Sequence, residues 1–278
     1  MEVRDEAPPR LRAEPSVTTG NDTVRGRIVL RERTGTVVPV TTVLESSRPR
    51  AGRRFAPSHE LALLGPAIDA TAALPGAHRG LLVVQEATGP YGIPDLTALV
   101  GATSLLAERL ALDVPALLHQ VDAAVTAVAH PRTGRSAESL ARLLGWPSET
   151  VERRLPELLR ARALVESAPD RFVRPEALRS LGRLYAVEAK VRDWSRALRQ
   201  VRRYSVWADG YVLVMGELSA RPLELLSAQV ARDRGGLVVA GRWIRRPAVQ
   251  PLPAAQRLWA AEYLVAAVRG GYQPSPLP

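Results

Sequence analysis

The spacing of apolar residues along the chain predicts alternating strands and helices. Short apolar runs bounded by turn residues predict strands at "GLLVVQEA", "IPDLTALVG", "RLYAVEAKV", "GYVLVMG" and "GLVVAG", and "TVRGRIVLRERTGTVVPVTTVLE" predicts a short hairpin. Helical spacing predicts helices at 58–74, 194–208 and 222–233. The outer parts of the chain therefore indicate an α/β fold, with helices packed on a sheet.

The central part of the chain has a different pattern. Residues 113–182 contain predicted helices at 115–129, 136–145 and 148–162, followed by an extended segment at 163–175. This order resembles a winged helix-turn-helix, in which 148–162 is the recognition helix and 163–175 is the wing. We therefore expect a flexible arm at 1–22 and a core that is formed by 23–112 and 183–278, with the winged helix inserted between its two parts at 113–182.

Three charged residues lie on two of the predicted strands. Side chains alternate along a strand, so Glu188 and Lys190 share one face of "RLYAVEAKV" and the residues between them face the other way. Asp95 lies near the start of "IPDLTALVG". If the two strands pair antiparallel, the similar offsets of Asp95 and Glu188 from the strand ends place them opposite each other.

Lys190 is the only lysine of the chain, since the other 37 of its 38 basic residues are arginine. Lysine carries a compact point charge whose pKa responds to burial, whereas arginine is a permanently charged planar fork. The exception suggests a reaction centre. The alternative is an isolated surface lysine that has been kept by chance.

The sequences "GIPDL" and "VEAK" resemble the signature of the PD-(D/E)xK nuclease superfamily, and "QVRRY" resembles the Gln-x-x-x-Tyr element of its RecB-type members. The resemblance covers about 58–101 and 183–245. It implies a restriction-endonuclease-like fold, with a mixed sheet flanked by helices. One departure is large: Asp95 and Glu188 are 93 positions apart, where the family usually has a short turn. The predicted winged helix would fill this interval.

The resemblance also implies roles for individual residues. Asp95 and Glu188 would ligate Mg²⁺ or Mn²⁺, because carboxylate oxygens suit these hard cations, and Lys190 would position the attacking water. Glu60 corresponds to the acidic residue on the family's first helix and would contribute to the metal site through water, although a solvated glutamate is the alternative and Glu86 is a rival for the role. The resemblance further places Gln200 and Tyr204 near the scissile phosphate. The alternative is that this pair lies at the edge of the core.

The net charge of +10 and the pI near 10.9 favour a polyanionic partner. On the predicted helix 194–208, Arg196, Arg199 and Arg203 occupy one sector and would follow a DNA backbone. Arg153 and Arg154 lie early in the predicted recognition helix, where they would contact bases. Residues 113–182 carry a net charge of only +1, so a packing role for the insertion remains the alternative.

Several function classes lack a basis in the sequence. The chain has no cysteine, so it has no disulfides and no thiolate chemistry, and it has no phosphate-binding loop or serine-hydrolase motif. No apolar run is long enough to span a membrane, and we expect a cytoplasmic protein.

The expected function is that of a metal-dependent nuclease that hydrolyses DNA phosphodiester bonds. The expected partner is DNA and not a membrane, and a homodimer or a partner subunit is left open. The alternatives are a DNA-binding regulator that keeps the nuclease fold without catalysis, and a subunit of a restriction or defence complex.

Overall fold

The computed structural model describes residues 27–30, 41–45, 59–101, 103–250 and 252–270. The strands are β1 (Arg27–Leu30), β2 (Thr41–Glu45), β3 (Leu81–Gln85), β4 (Leu96–Val100), β5 (Val165–Ala168), β6 (Arg171–Val173), β7 (Arg183–Lys190), β8 (Gly210–Met215), β9 (Gly236–Val239) and β10 (Arg242–Arg245). The helices are α1 (Leu64–Ala72), α2 (Thr103–Ala111), α3 (Gln120–Val128), α4 (Ala137–Leu144), α5 (Ser148–Glu152), α6 (Leu155–Arg160), α7 (Trp194–Tyr204), α8 (Ala220–Arg232) and α9 (Ala254–Val268). The arm expected at 1–22 lies outside the described residues.

Eight of the described strands form one mixed sheet in the order β1-β2-β3-β4-β7-β8-β9-β10. Strands β7, β8 and β9 are parallel, and α7 and α8 connect them. Strand β4 pairs antiparallel with both β3 and β7. The predicted hairpin is present as the antiparallel pair β1–β2. The mixed α/β architecture expected from the sequence is thus confirmed.

Helices cover both faces of the sheet, which explains why its central strands are apolar on both sides. On one face, Leu184, Ala186 and Leu213 pack in a core shared with α7, α8 and α9. On the other face, Tyr185 and Val187 pack in a core shared with α1. Alternation along β7 therefore places Glu188 on the same side of the sheet as α7.

Between β4 and β7 the chain forms a helical unit with its own apolar core. Helices α3 to α6 are followed by the hairpin β5–β6, and a further bridge joins Arg135 to Phe172. The Ser136 hydroxyl caps α4 by accepting a hydrogen bond of 3.3 Å from the Ser139 N–H, and Gly145 ends this helix in the left-handed conformation.

The prediction of one recognition helix over 148–162 is wrong. The segment forms two short helices, α5 and α6, which are separated at Arg153 and Arg154. Pro156 explains the break, because its ring clashes with the carbonyl of the fourth residue before it, and it is tolerated only in the first turn of a helix. The first helix of the unit is also shorter than predicted, since α3 begins at Gln120.

The helix α9, which the sequence pattern did not reveal, joins the helical unit to the sheet. Its residues Ala261 and Leu264 belong to the core beneath α7, while Trp259 belongs to the core of the helical unit. Glu262 accepts two hydrogen bonds, of 2.8 and 2.7 Å, from the buried guanidinium of Arg109 on α2. None of the described helices is both long and apolar enough to cross a membrane.

Candidate active site

Asp95 and Glu188 meet where β4 and β7 pair. The antiparallel register aligns Leu96 with Val187, so the next pair along the two strands is Asp95 with Glu188. The Asp95 carboxylate accepts a hydrogen bond of 2.6 Å from the N–H of Ala189. This bond fixes the Asp95 side chain against β7, beside Glu188. The antiparallel pairing of the two strands, on which the expected position of these carboxylates depends, is present.

Glu188 is buried, with 1% of its surface exposed. Burial raises its pKa to about 7, and the negative charge of Asp95 adds to the rise. Lys190 and the hydroxyl of Tyr204 oppose this rise by stabilising the ionised form. Burial also raises the pKa of Asp95, while the Ala189 N–H and the charge of Lys190 counteract part of that effect. The two carboxyls therefore lie in surroundings that favour additional positive charge.

Lys190 is bound between two acidic residues. Its Nζ lies 2.7 Å from an oxygen of Glu60 and 3.3 Å from an oxygen of Glu188. Burial by itself lowers the pKa of Lys190, but the hydrogen bond to Glu60 and the charges of Asp95, Glu188 and Glu60 outweigh it, so the pKa is raised. Lys190 therefore stays positively charged beside the carboxylate pair.

Glu60 begins the short 3₁₀ helix that precedes α1. Its carboxylate binds Lys190, and Lys190 in turn contacts Glu188, so the side chain of Lys190 lies between Glu60 and Glu188. Its rival Glu86 has an exposed side chain, and its N–H donates a 3.0 Å hydrogen bond to the Asp95 carbonyl.

The structure gives Tyr204 two contacts at the site, and it leaves the side-chain oxygen of Gln200 buried. The Tyr204 hydroxyl lies 3.2 Å from an oxygen of Glu188 and 3.2 Å from the carbonyl of Ile93. Tyr204 thus links α7 to β7 and to the turn that precedes β4. The Oε1 atom of Gln200 is buried and has no hydrogen-bond partner within the described part of the chain. The expected placement of Gln200 near the scissile phosphate stays a prediction.

The turn that precedes Asp95 is shaped by two glycines that pack on aromatic rings. A Cβ atom at Gly89 would lie 2.6 Å from the ring of Trp207, and one at Gly92 would lie 3.1 Å from the ring of Tyr204. Gly92 also has a φ of +122°, a conformation that favours glycine. The sequence signal was the turn "TGPYG", but only the structure shows that the turn contacts α7.

The arginines expected to bind DNA differ in their surroundings. Arg196, Arg199 and Arg203 are exposed on α7 and make no ion pair with the described residues. Arg153 is also exposed. Arg154, in contrast, binds both carboxylate oxygens of Asp122 at 2.7 Å and also pairs with Glu157. Its role in the structure is to hold α6 against α3, which leaves Arg153 as the accessible member of the pair.

Within the described ranges, no group of three or more histidine and acidic side chains is arranged to hold a metal ion. Two of the three expected ligands, Asp95 and Glu188, still provide hard oxygen donors on one face of the sheet, and this donor set fits Mg²⁺ or Mn²⁺. One oxygen of Glu60 accepts a 2.7 Å hydrogen bond from Lys190, and a contribution of Glu60 to the metal site through water stays a prediction.

The raised pKa of Glu188 predicts how stability depends on pH. Without divalent cations, the unfolded chain ionises this carboxyl near 4.5 and the folded chain near 7, so the folded protein retains the proton in between. The free energy of unfolding should fall as the pH rises from about 4.5 to 7, by on the order of a few kcal/mol in total, and then level off. Urea unfolding in chelator should show this decline in the wild type and a smaller one in Glu188→Gln. Parallel curves for the two proteins would contradict the assignment.

Comparisons with known proteins add little. No family model matches the chain, and no curated protein matches it. A solved structure from Silicibacter pomeroyi, described as a protein of unknown function, is 21% identical to this chain. The match covers 42% of this chain and 84% of the Silicibacter chain, with a TM-score of 0.24. A TM-score this low carries no argument, so the site must be judged from its own geometry.

Proposed function

We propose that the protein is a metal-dependent nuclease that hydrolyses phosphodiester bonds in DNA. The observation that carries the proposal is that the Asp95 carboxylate is hydrogen-bonded to the residue next to Glu188, where β4 and β7 pair antiparallel, with Lys190 two residues beyond Glu188. This is the arrangement that the resemblance to the PD-(D/E)xK nucleases leads one to expect.

Each of these side chains has a role in the proposed reaction. A divalent cation bound by Asp95 and Glu188 would polarise the scissile phosphate and lower the pKa of a water molecule. Lys190 holds a positive charge beside the carboxylates, where it can orient the attacking water and stabilise the developing negative charge on the phosphate. The Tyr204 hydroxyl lies 3.2 Å from both the Glu188 carboxylate and the Ile93 carbonyl and shares its one hydrogen between them, so Tyr204 acts as a positioning residue.

The helical unit supports a second contact with DNA. The order of α3, α4, the α5–α6 pair and the hairpin β5–β6 resembles that of a winged helix, and Arg153 lies exposed at the break between α5 and α6. We propose that Arg153 contacts DNA from this unit. The Arg154–Asp122 ion pair favours a structural role for Arg154.

A non-catalytic DNA-binding regulator is the second candidate. The Lys190–Glu60 ion pair favours it, because a lysine that is already paired has less charge to offer a phosphate. Purified protein incubated with labelled linear and plasmid DNA, with Mg²⁺ or Mn²⁺ and separately with chelator, distinguishes the two. Metal-dependent cutting supports the nuclease, whereas DNA binding without cutting in any metal supports the regulator.

The salt dependence of DNA binding tests the basic face of α7. Each arginine that contacts a phosphate releases about one counterion from the DNA, and we expect this of Arg196, Arg199 and Arg203. Replacing each by glutamine should therefore reduce the slope of log affinity against log salt by about one unit, as measured by fluorescence anisotropy in chelator. Arg142→Gln is the matched control, because Arg142 on α4 already pairs with Glu138 and its loss should leave the slope unchanged. Unchanged slopes in all three α7 variants would place the DNA elsewhere.

A further inference from the structure

The turn beside the carboxylate pair exposes two apolar side chains. Tyr91 is 46% exposed and Ile93 is 48% exposed, although both lie within four residues of Asp95. A single exposed apolar side chain is ordinary on a protein surface, but two of them next to a charged site point to a ligand with an apolar part.

The turn holds these side chains in fixed positions. A hydrogen bond of 2.8 Å between Gly89 N–H and the Gly92 carbonyl closes it. The ring of Tyr91 meets the ring of Trp259 edge to face, with centroids 5.6 Å apart. The buried Trp259 is itself fixed by a 2.7 Å hydrogen bond from its ring N–H to the Leu118 carbonyl. Tyr91 therefore presents an immobilised aromatic ring, which loses little conformational freedom when a ligand stacks on it.

The same turn is connected to the carboxylates and to the basic helix. The Ile93 carbonyl accepts a hydrogen bond from Tyr204, whose hydroxyl also contacts Glu188. Arg203 and Arg199 are exposed on the helix that carries Tyr204. The exposed apolar side chains and the exposed arginines thus belong to two elements that meet at Tyr204. A nucleic-acid strand offers a partner to each, because its flat bases stack on apolar side chains and its phosphates attract arginine.

From this arrangement we propose that Tyr91 and Ile93 form a stacking platform for an unpaired base next to the scissile phosphate, which makes single-stranded DNA the preferred substrate of the site. The proposal rests on the proposed function for its location and its substrate. A base that stacks on a protein ring has left the duplex, so the platform favours strands that need not be unpaired first.

Binding to oligonucleotides with and without bases tests the platform. The probes are a labelled strand of about 12 thymidines, the same strand with abasic positions at its centre, and the matching duplex, all in chelator so that no cleavage occurs. Tyr91→Ala should weaken binding of the intact strand by about tenfold and leave binding of the abasic strand within about twofold of the wild type. Tyr91→Phe keeps the ring and should bind both strands as the wild type does. The wild type should bind the intact strand more tightly than the duplex.

Two further variants control for folding. Ile93→Ala leaves the Tyr91–Trp259 contact and the Ile93 carbonyl in place, and it should weaken binding of the intact strand by about threefold. Leu225→Ala removes an equally exposed apolar side chain from α8 and should have no effect. The platform would be overturned if Tyr91→Ala weakened binding of the intact and abasic strands equally. It would also be overturned if neither Tyr91→Ala nor Ile93→Ala weakened binding of the intact strand.

The platform and the nuclease can fail separately. If DNA is cut but the Tyr91 and Ile93 variants bind intact strands normally, the platform is refuted and the nuclease stands. If base-dependent binding is present but no metal supports cutting, the nuclease is refuted and the platform stands as a binding site.

Discussion

Asp95→Asn and Glu188→Gln should each abolish DNA cleavage, by at least about 10³-fold, while the protein remains folded. Each change removes a negative charge from the proposed metal site and keeps the shape of the side chain, and the electrostatic stabilisation that a bound cation supplies is worth several kcal/mol. Initial rates on labelled DNA in Mg²⁺ and in Mn²⁺ provide the measurement.

Stability separates this loss of activity from misfolding. Both carboxyls have raised pKa values because they are buried, so ionising them costs free energy in the folded protein. Their neutral amide variants should therefore unfold at the same urea concentration as the wild type at pH 8, or at a higher one. Glu224→Gln removes an exposed charge on α8 and should keep full activity. Wild-type cutting by either Asp95→Asn or Glu188→Gln would show that the site has been assigned wrongly.

Lys190→Arg should lower the cleavage rate by about 10²-fold or more, even though the charge is conserved. The loss of one well-placed electrostatic contact in a transition state has about this effect. Lys190 Nζ lies within 3.3 Å of both Glu188 and Glu60, and the longer planar guanidinium cannot place its charge at the same point. Single-turnover cleavage with saturating protein would measure the chemical step and exclude differences in DNA binding.

The reverse substitution is the matched control. Arg192 is exposed two residues beyond Lys190, and Arg192→Lys should retain activity within about twofold. Lys190→Arg should also keep its melting temperature within a few degrees, since Glu60 can still pair with the new side chain. Normal cleavage by Lys190→Arg would mean that the lone lysine has no role in the chemistry.

The sequence revealed the local parts of this site because their geometry repeats over a few residues. Alternation along 183–190 placed Glu188 and Lys190 on one face. The similar offsets of Asp95 and Glu188 from their strand ends placed these two residues opposite each other on the condition that the strands pair antiparallel, and β4 and β7 do pair in this way. The segment expected to be extended at 163–175 contains the strands β5 and β6.

Other features depended on contacts between residues that are far apart in the chain. Glu60 binds Lys190 across 130 positions, and Arg154 binds Asp122 across 32. Periodicity predicts which way a side chain faces, but it carries no information about which partner arrives there.

The sequence by itself therefore determined the mixed α/β class and the faces of the strands, because these follow from residue spacing within single elements. It placed the two carboxylates together only on the condition that their strands are neighbours. Only the tertiary structure decided that Glu60 pairs with the lysine, that Tyr204 holds Glu188, and that Trp259 on α9 supports the turn with Tyr91. The physical reason is that such contacts are selected by the packing of whole elements, where burial and charge pairing outweigh any local preference.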